Sequence, residues 1–441
     1  MPDQFLRRAS YGKNSPEVRE RGARTRQRIL DEALRLFDEK GYYETLSDDI
    51  ASRVGIARAT LYQYFDGKEA IFRELMEQCA ITLTRLVRRL GPLGPTERGF
   101  DNLHWWLGEW SWVYDRYATV FAQWTQVART GGLSVDVRGF VDDQSSRIAD
   151  RLSDSGVRGI DPTSAANMLA VLVSRVYFYR VGGLLEPLDE EAVIAALAVC
   201  VQLLIFPETP SATLAKVEAP ARRPPSRKPA AQPPPTHAPR FAALGSRARA
   251  TAERLIDSAC EVFGERGYHL STIDDVVRNA GLARGTFYKY FKDKTDLLAA
   301  VLERGHDELS PILERLDGIV PVGEDLHEQL AEVLRSFVPW HRRYAGALRV
   351  GLNRLTTGEP VPAFARMLTV RVTYGFEQVL AAVERDYPFS PQVGAIIMFA
   401  VVGRALDGQP RSAKRAPTRT ADTLEFVGNI IERSLLNGRR G

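Results

Sequence analysis

Residues 25–72 read TRQRILDEALRLFDEKGYYETLSDDIASRVGIARATLYQYFDGKEAIF, and residues 251–298 read TAERLIDSACEVFGERGYHLSTIDDVVRNAGLARGTFYKYFKDKTDLL. The two align without a gap at an offset of 226, with 18 of 48 positions identical. A repeat of that length is a duplicated domain rather than one turn of a solenoid. In the first copy Ile29, Ala33, Leu36 and Phe37 fall on one helix face, and the helix ends before Gly41. In the second, Leu255, Ala259, Val262 and Phe263 do the same before Gly267. A short second helix follows each, and Thr272 and Asp275 stand at capping-box spacing for the second copy. Gly55 and Gly281 fit the ensuing turn, because glycine takes positive φ without steric cost. A third helix then begins at once, ARATLYQYF (57–65) and ARGTFYKYF (283–291). Two short helices around a tight glycine-bearing turn make a helix-turn-helix, whose second helix can enter the major groove of DNA.

The recurring residues resemble the DNA-binding domain of the TetR family of bacterial regulators. The family pattern runs Gly-Tyr, Thr-Thr-x-x-x-Ile-Ala, Gly-x-x-x-Gly-Thr-Leu-Tyr-x-Tyr-Phe, then Lys. The second copy matches at Gly267, Tyr268, Ser271, Thr272, Val276, Gly281, Gly285, Thr286, Tyr288, Tyr290, Phe291 and Lys294. The first matches at Gly41, Tyr42, Thr45, Ile50, Ala51, Gly55, Thr60, Leu61, Tyr62, Tyr64, Phe65 and Lys68. It departs at Leu46-Ser47, where the pattern has a hydroxyl and then an apolar residue, so its second helix lacks the expected cap. The resemblance implies an all-α fold of two TetR-like units. Each is a three-helix helix-turn-helix domain followed by a helical domain for ligand binding and dimerisation.

The expected plan is a basic flexible arm over 1–20, a first helix-turn-helix domain over 21–67 and a first regulatory domain over 68–206. A Pro-rich linker over 207–245 leads to a second helix-turn-helix domain over 246–293 and a second regulatory domain over 294–441. The length suits several domains, each with its own core. The linker region holds ten prolines and almost no bulky apolar side chains, the composition of a semi-rigid extended spacer. Helices 167–179 and 190–206 are apolar nearly all round, so they must be buried on more than one side. By resemblance such a pair serves dimerisation.

A net charge of +4 is modest for 441 residues, so basicity aimed at nucleic acid must be local. It is local: Arg7, Arg8, Lys13, Arg19, Arg21, Arg24, Arg26 and Arg28 lead into the first motif, and Arg240, Arg247, Arg249 and Arg254 into the second. Cys79, Cys200 and Cys260 have neither disulfide nor metal spacing, which suits a reducing cytoplasm. The longest apolar run, 192–206, is too short for a membrane span, and the charged N-terminus lacks a signal-peptide core. No phosphate-binding glycine loop, metal spacing or nucleophile elbow marks an enzyme, and no cofactor is implied.

By resemblance the DNA-binding residues are Thr45, Arg58, Thr60, Tyr62, Gln63, Tyr64 and Lys68, and in the second copy Ser271, Arg284, Thr286, Tyr288, Lys289, Tyr290 and Lys294. The hydroxyls and lysines would grip phosphates, while Arg58, Arg284, Gln63 and Lys289 would read bases. The partner is double-stranded DNA. Because Gln63 and Lys289 differ, an imperfect palindrome is expected, bound by an intrachain pseudo-dimer that can itself dimerise further.

Leu103, Trp106, Leu107, Trp110, Val113 and Tyr114 form a wide apolar stripe, and Trp124 follows. In the second unit Phe337, His341 and Tyr344 line a similar face. Such stripes serve either as core or as the lining of a cavity for a small hydrophobic or aromatic effector. The reading is a ligand-responsive repressor located in the cytoplasm. The alternative is a helical interaction or sensor protein in which one or both helix-turn-helix units no longer bind DNA.

Overall fold

The structure, a computed structural model, describes residues 16–121, 137–185, 188–217, 241, 244–319, 326–352, 359–383 and 387–407, with positions 428, 431, 433 and 435. Every regular element among the described residues is helical. The chain divides into two compact units: Met1–Leu90 with Glu109–Ile148, and Gly91–Gly108 with Ala149–Gly441.

The first unit holds α1 (Pro16–Lys40), α2 (Ser47–Val54), α3 (Arg58–Tyr64), α4 (Lys68–Arg88), the later part of α5 (Glu97–Arg116) and most of α6 (Val137–Asp154). Ile29, Ala33, Leu36 and Phe37 are all buried, as the helical spacing requires. They close over Ile50, Leu61, Phe65 and Phe72, with Phe37 edge-on to Phe72 at 6.1 Å. Burying each such side chain contributes about 1.5–3 kcal/mol, enough for a small three-helix core. Helix α1 reaches back to Pro16, so residues 16–20 belong to it and not to the expected arm. Residues 1–15 lie outside the described residues.

The second unit begins with the early part of α5 and continues with α7 (Pro162–Val181), α8 (Glu190–Ile205) and α9 (Ser211–Leu214). Asp161 caps α7, its carboxylate accepting from Ser164 N at 2.9 Å, and Pro162 occupies the first turn, where no N–H is needed. Then come α10 (Ser246–Arg266), α11 (Ile273–Asn279), α12 (Arg284–Phe287), α13 (Lys294–Asp317) and α14 (Leu326–Leu348). A 3-10 turn (Arg349–Leu352), α15 (Pro360–Ala381) and α16 (Pro391–Asp407) complete it.

Helices α7 and α8 pack on α16 inside this unit, which explains why neither has a polar face. Tyr179 meets Phe399 edge-on at 5.4 Å, and Arg366 of α15 donates to the carbonyls of Gly182 and Gly183 where α7 ends. Arg433 closes the far side, donating to Leu204 O at 3.2 Å and Gly159 O at 3.0 Å. The last helices of the first sequence repeat are therefore buried against those of the second.

The expected linker begins later than its composition suggests. Gln202 donates to Gly94 O and to Thr209 Oγ1, both at 2.9 Å, and Leu214 of α9 is buried. Lys216 pairs with Glu97. Residues 207–217 are thus folded onto the unit, and 218–240 lie outside the described residues.

Candidate nucleic-acid interface

Each helix-turn-helix is held by the same internal bonds. The turn between its helices closes through Ile56 N to Ala51 O at 3.0 Å, and through Leu282 N to Val277 O at 2.8 Å. Gly55 and Gly281 sit at φ 75° and 64°, a conformation costly for any residue with a Cβ. Arg28 donates to Val54 O at 2.8 Å, and Arg254 to Ala280 O at 2.6 Å, so a guanidinium from the first helix satisfies the orphan carbonyls at the end of the second. The sequence reading placed both arginines in a basic lead-in. Their identical position in the two copies was the signal that they have a structural duty.

The caps of the second helices differ. Thr272 Oγ1 accepts from Asp275 N at 3.1 Å, and Thr272 N donates back to the Asp275 carboxylate at 3.0 Å. The Thr272 hydroxyl also donates to the Asp275 carboxylate at 2.7 Å, and this bond first, with that from Thr272 N, holds the Asp275 carboxyl below the usual carboxylate range. In the first copy only the return half exists, Leu46 N to Asp49 at 3.0 Å, and Leu46 itself is 63% exposed.

The recognition helices α3 and α12 bury Leu61 and Phe287, and beyond them Phe65 and Phe291. Their outer faces present Arg58, Tyr62 and Gln63, and Arg284, Tyr288 and Lys289, all exposed. Thr60, Tyr64, Thr286 and Tyr290 are half-buried at the edges. Helix α3 runs to Tyr64, whereas α12 stops at Phe287 and continues as tight turns, with Tyr290 N bonded to Phe287 O at 3.0 Å. Gly285 in place of Ala59 accounts for this, because glycine weakens a helix interior. Arg58 is fixed by Asp48 at 3.0 Å and lies 5.6 Å from the Tyr62 ring; Arg284 is fixed by Asp274 at 2.7 Å.

Two of the expected DNA contacts face inward, and two more are bonded to backbone carbonyls. Thr45 and Ser271 are buried, and their hydroxyls donate to Gly41 O at 2.8 Å and Gly267 O at 2.6 Å. They seal the end of the first helix and cannot reach a phosphate. Lys68 Nζ donates to Tyr42 O at 2.8 Å and Thr45 O at 2.9 Å, over the Tyr42 ring at 4.6 Å. Lys294 does the same with Tyr268 O and Ser271 O, both at 2.9 Å, over the Tyr268 ring at 4.4 Å. Burial lowers the pKa of both lysines. Their ammonium groups tie the fourth helix to the loop that precedes the second. The pattern of a cation at a helix start pointed to phosphate, but three unsatisfied carbonyls stood nearer.

Of the aromatic candidates, Trp106, Trp110, Tyr114, Phe337, His341 and Tyr344 are all buried core residues, and Trp124 lies outside the described residues. Tyr344 OH accepts from Arg304 Nε at 3.2 Å. No group of metal-ligating side chains occurs among the described residues.

The family model for bacterial regulatory proteins of the tetR family matches residues 29–75 and 255–301. The fatty acid metabolism regulator protein of Bacillus subtilis is 35% identical over 81 residues, which cover 18% of this chain and 40% of that protein. The biofilm operon icaADBC HTH-type negative transcriptional regulator IcaR of Staphylococcus epidermidis is 46% identical over 54 residues, 12% of this chain and 29% of its own length. The chain thus spans less than half the length of these curated relatives. A transcriptional regulator of the TetR/AcrR family from Thermobifida fusca is 23% identical over 40% of this chain and 96% of its own, at a TM-score of 0.31. Both matched segments coincide with the two helix-turn-helix scaffolds, so the DNA-binding domain of the tetR family of bacterial regulatory proteins is present twice in the chain.

Proposed function

We propose that the chain is a sequence-specific, DNA-binding transcriptional regulator, a ligand-responsive repressor that engages double-stranded DNA as an intramolecular pseudo-dimer. One observation carries the reading: two exposed recognition faces, Tyr62 with Gln63 and Tyr288 with Lys289, stand on matching internal scaffolds. Thr60, Tyr64, Thr286 and Tyr290 border those faces and would fix the register on phosphates. Gln63 suits adenine, while Lys289, Arg58 and Arg284 suit guanine. Asp48 and Asp274 hold the two arginines, so each must share or release its acid to read a base. Because Gln63 and Lys289 differ, the two half-sites differ.

The pairing of α7 and α8 with α15 and α16 supports an intrachain pseudo-dimer, since these stand at the ends of the two repeats. Tethering raises the effective concentration of one half near the other. The effector is a small hydrophobic or aromatic molecule taken up by the aromatic-rich helical domains, and no resident cofactor is required. Its binding shifts the recognition helices out of register, a coupling that works equally in reverse. Repression accords with the similarity to IcaR, a negative transcriptional regulator. The protein acts in the cytoplasm.

Selection of bound duplexes from a pool by the purified chain tests this. An enriched two-part imperfect palindrome is expected, and Gln63→Lys should make it more symmetric. No enrichment, with binding insensitive to salt, would favour an interaction protein that has lost DNA binding.

A further inference from the structure

The two helix-turn-helix surfaces are electrostatically unequal. Between Gly41 and Lys68 the first carries Arg53, Arg58 and Lys68 against Glu44, Asp48, Asp49 and Asp66, a net charge of −1. Between Gly267 and Lys294 the second carries Arg278, Arg284, Lys289, Lys292 and Lys294 against Asp274, Asp275 and Asp293, a net charge of +2. The contrast is sharpest at the end of each recognition segment and just past it. There Lys289 replaces Gln63 and Lys292 replaces Asp66, and all four side chains are exposed. The pairs nearer the turn do not offset it, because Arg58 with Asp48 and Arg284 with Asp274 are alike in both copies.

A second difference lies at the start of the second helix. Thr272 is exposed and carries a hydroxyl, which bonds the Asp275 carboxylate at 2.7 Å and must turn outward to reach a phosphate; the side chain of the matching Leu46 is exposed and offers neither donor nor charge. Phosphate oxygens are held by cations, hydroxyls and helix N-termini, and an anion set among them is repelled. By that chemistry the second surface holds more phosphate charge than the first, through Lys292 and through the added cation of Lys289 beside its base, and Asp66 opposes contact in the first.

Resting on the reading of the chain as a DNA-binding regulator, we propose that its two halves bind in a hierarchy. The second helix-turn-helix anchors the chain through the phosphate backbone and supplies most of the salt-dependent affinity. The first adds base discrimination through Gln63 with little electrostatic gain. An encounter with DNA therefore begins at the second copy, and the half-site it covers tolerates sequence change better than the half-site under the first copy.

The test uses the full chain and a duplex of about 40 base pairs, selected by the unmodified protein, with binding followed by fluorescence anisotropy between about 50 and 200 mM salt. Two exchange variants carry each surface's exposed residues onto the other: Lys289→Gln with Lys292→Asp, and Gln63→Lys with Asp66→Lys. All four positions are exposed, so folding is preserved, and the basic residues before the first copy are the same in every sample. The first variant should lose about 30-fold in affinity and flatten the slope of log affinity against log salt by about two. The second should gain affinity about 10-fold and steepen the slope by about two. An unchanged slope in the first variant, measured on the duplex that the unmodified chain selects, overturns the hierarchy. An unmodified chain that selects no duplex overturns the regulator reading itself, so the two failures are distinct.

Discussion

The joint between helix-turn-helix and helical domain is built twice on one register and filled with different chemistry. In the second copy Arg304 of α13, its side chain only 16% exposed, pairs with Glu253 at 2.9 Å and Asp257 at 2.8 Å on α10. Arg343 of α14 adds a bond to Asp257 at 2.6 Å. At the matching places of the first copy, Gln78 reaches Gln27 at 3.4 Å, and Arg116 stands 3.7 Å from Asp31. Further along, α10 and α14 meet at Gly264 and Gly346, where a Cβ on Gly346 would fall 2.5 Å from Gly264 N. The first copy has Asp38 and Thr119 there, joined by a 3.0 Å hydrogen bond. Backbone contact and a largely buried cation close one joint. The other is closed at that crossing by a side-chain hydrogen bond, with the part-buried Arg26–Glu74 pair linking α1 to α4, so the crossing itself opens at lower free energy. Duplication preserved the geometry of the crossing and let its stiffness diverge.

The largest expected effect tests that contrast at its tightest point. Gly346→Ala forces a methyl group into the backbone of Phe263 and Gly264 and should cost about 3 kcal/mol. Thr119→Ala, at the corresponding crossing, should cost about 1 kcal/mol, the net value of its hydrogen bond. Denaturant unfolding, with hydrogen exchange to localise the loss to α10 or α1, measures both. Equal costs would break the contrast.

Next in size is a pH effect centred on a buried histidine of the second copy. His341 is buried against Phe399 at 4.9 Å, and burial, with Arg175 and Arg349 nearby, lowers its pKa to about 3. An unfolded histidine titrates near 6.5, so between those values only the unfolded chain takes up the proton. Stability is therefore full above about pH 6.5 and falls by about 1.4 kcal/mol per unit below it, reaching about 2 kcal/mol at pH 5. His341→Phe should flatten this profile. If the variant titrates like the parent, the histidine is not the cause.

Smaller effects separate the two helix-turn-helix units. Leu46→Thr restores a hydroxyl to an exposed N-cap and should stabilise the first copy by about 1 kcal/mol, read as a rise in its unfolding midpoint. Gly285→Ala finds no atom within 4 Å of the new Cβ and should stabilise the second by about 0.5 kcal/mol while extending α12. A fall in stability from either would mean that the local backbone differs between copies for another reason.

Sequence alone made the duplicated domain legible. Apolar spacing located α1 and α10, Gly55 and Gly281 marked the turns, and Thr272 with Asp275 announced the cap. The all-apolar character of α7 and α8 announced burial, but not that α16 would cover them. Thr45, Ser271, Lys68 and Lys294 were misjudged for a common reason. Residue type and family position suggested an outward role, whereas carbonyls at the end of the first helix and in the loop after it lay closer and required donors. The joint was illegible for a different reason, because its members are distant in sequence and differ between copies.

The central claim is that one chain supplies both halves of a DNA-binding pair. The most direct test is the mass of the complex formed with the selected duplex, combined with hydroxyl-radical footprinting of the same sample. One chain per duplex, protecting two half-sites about one helical turn apart, is the predicted result. Two chains per duplex, or protection of a single half-site by one chain, would contradict it.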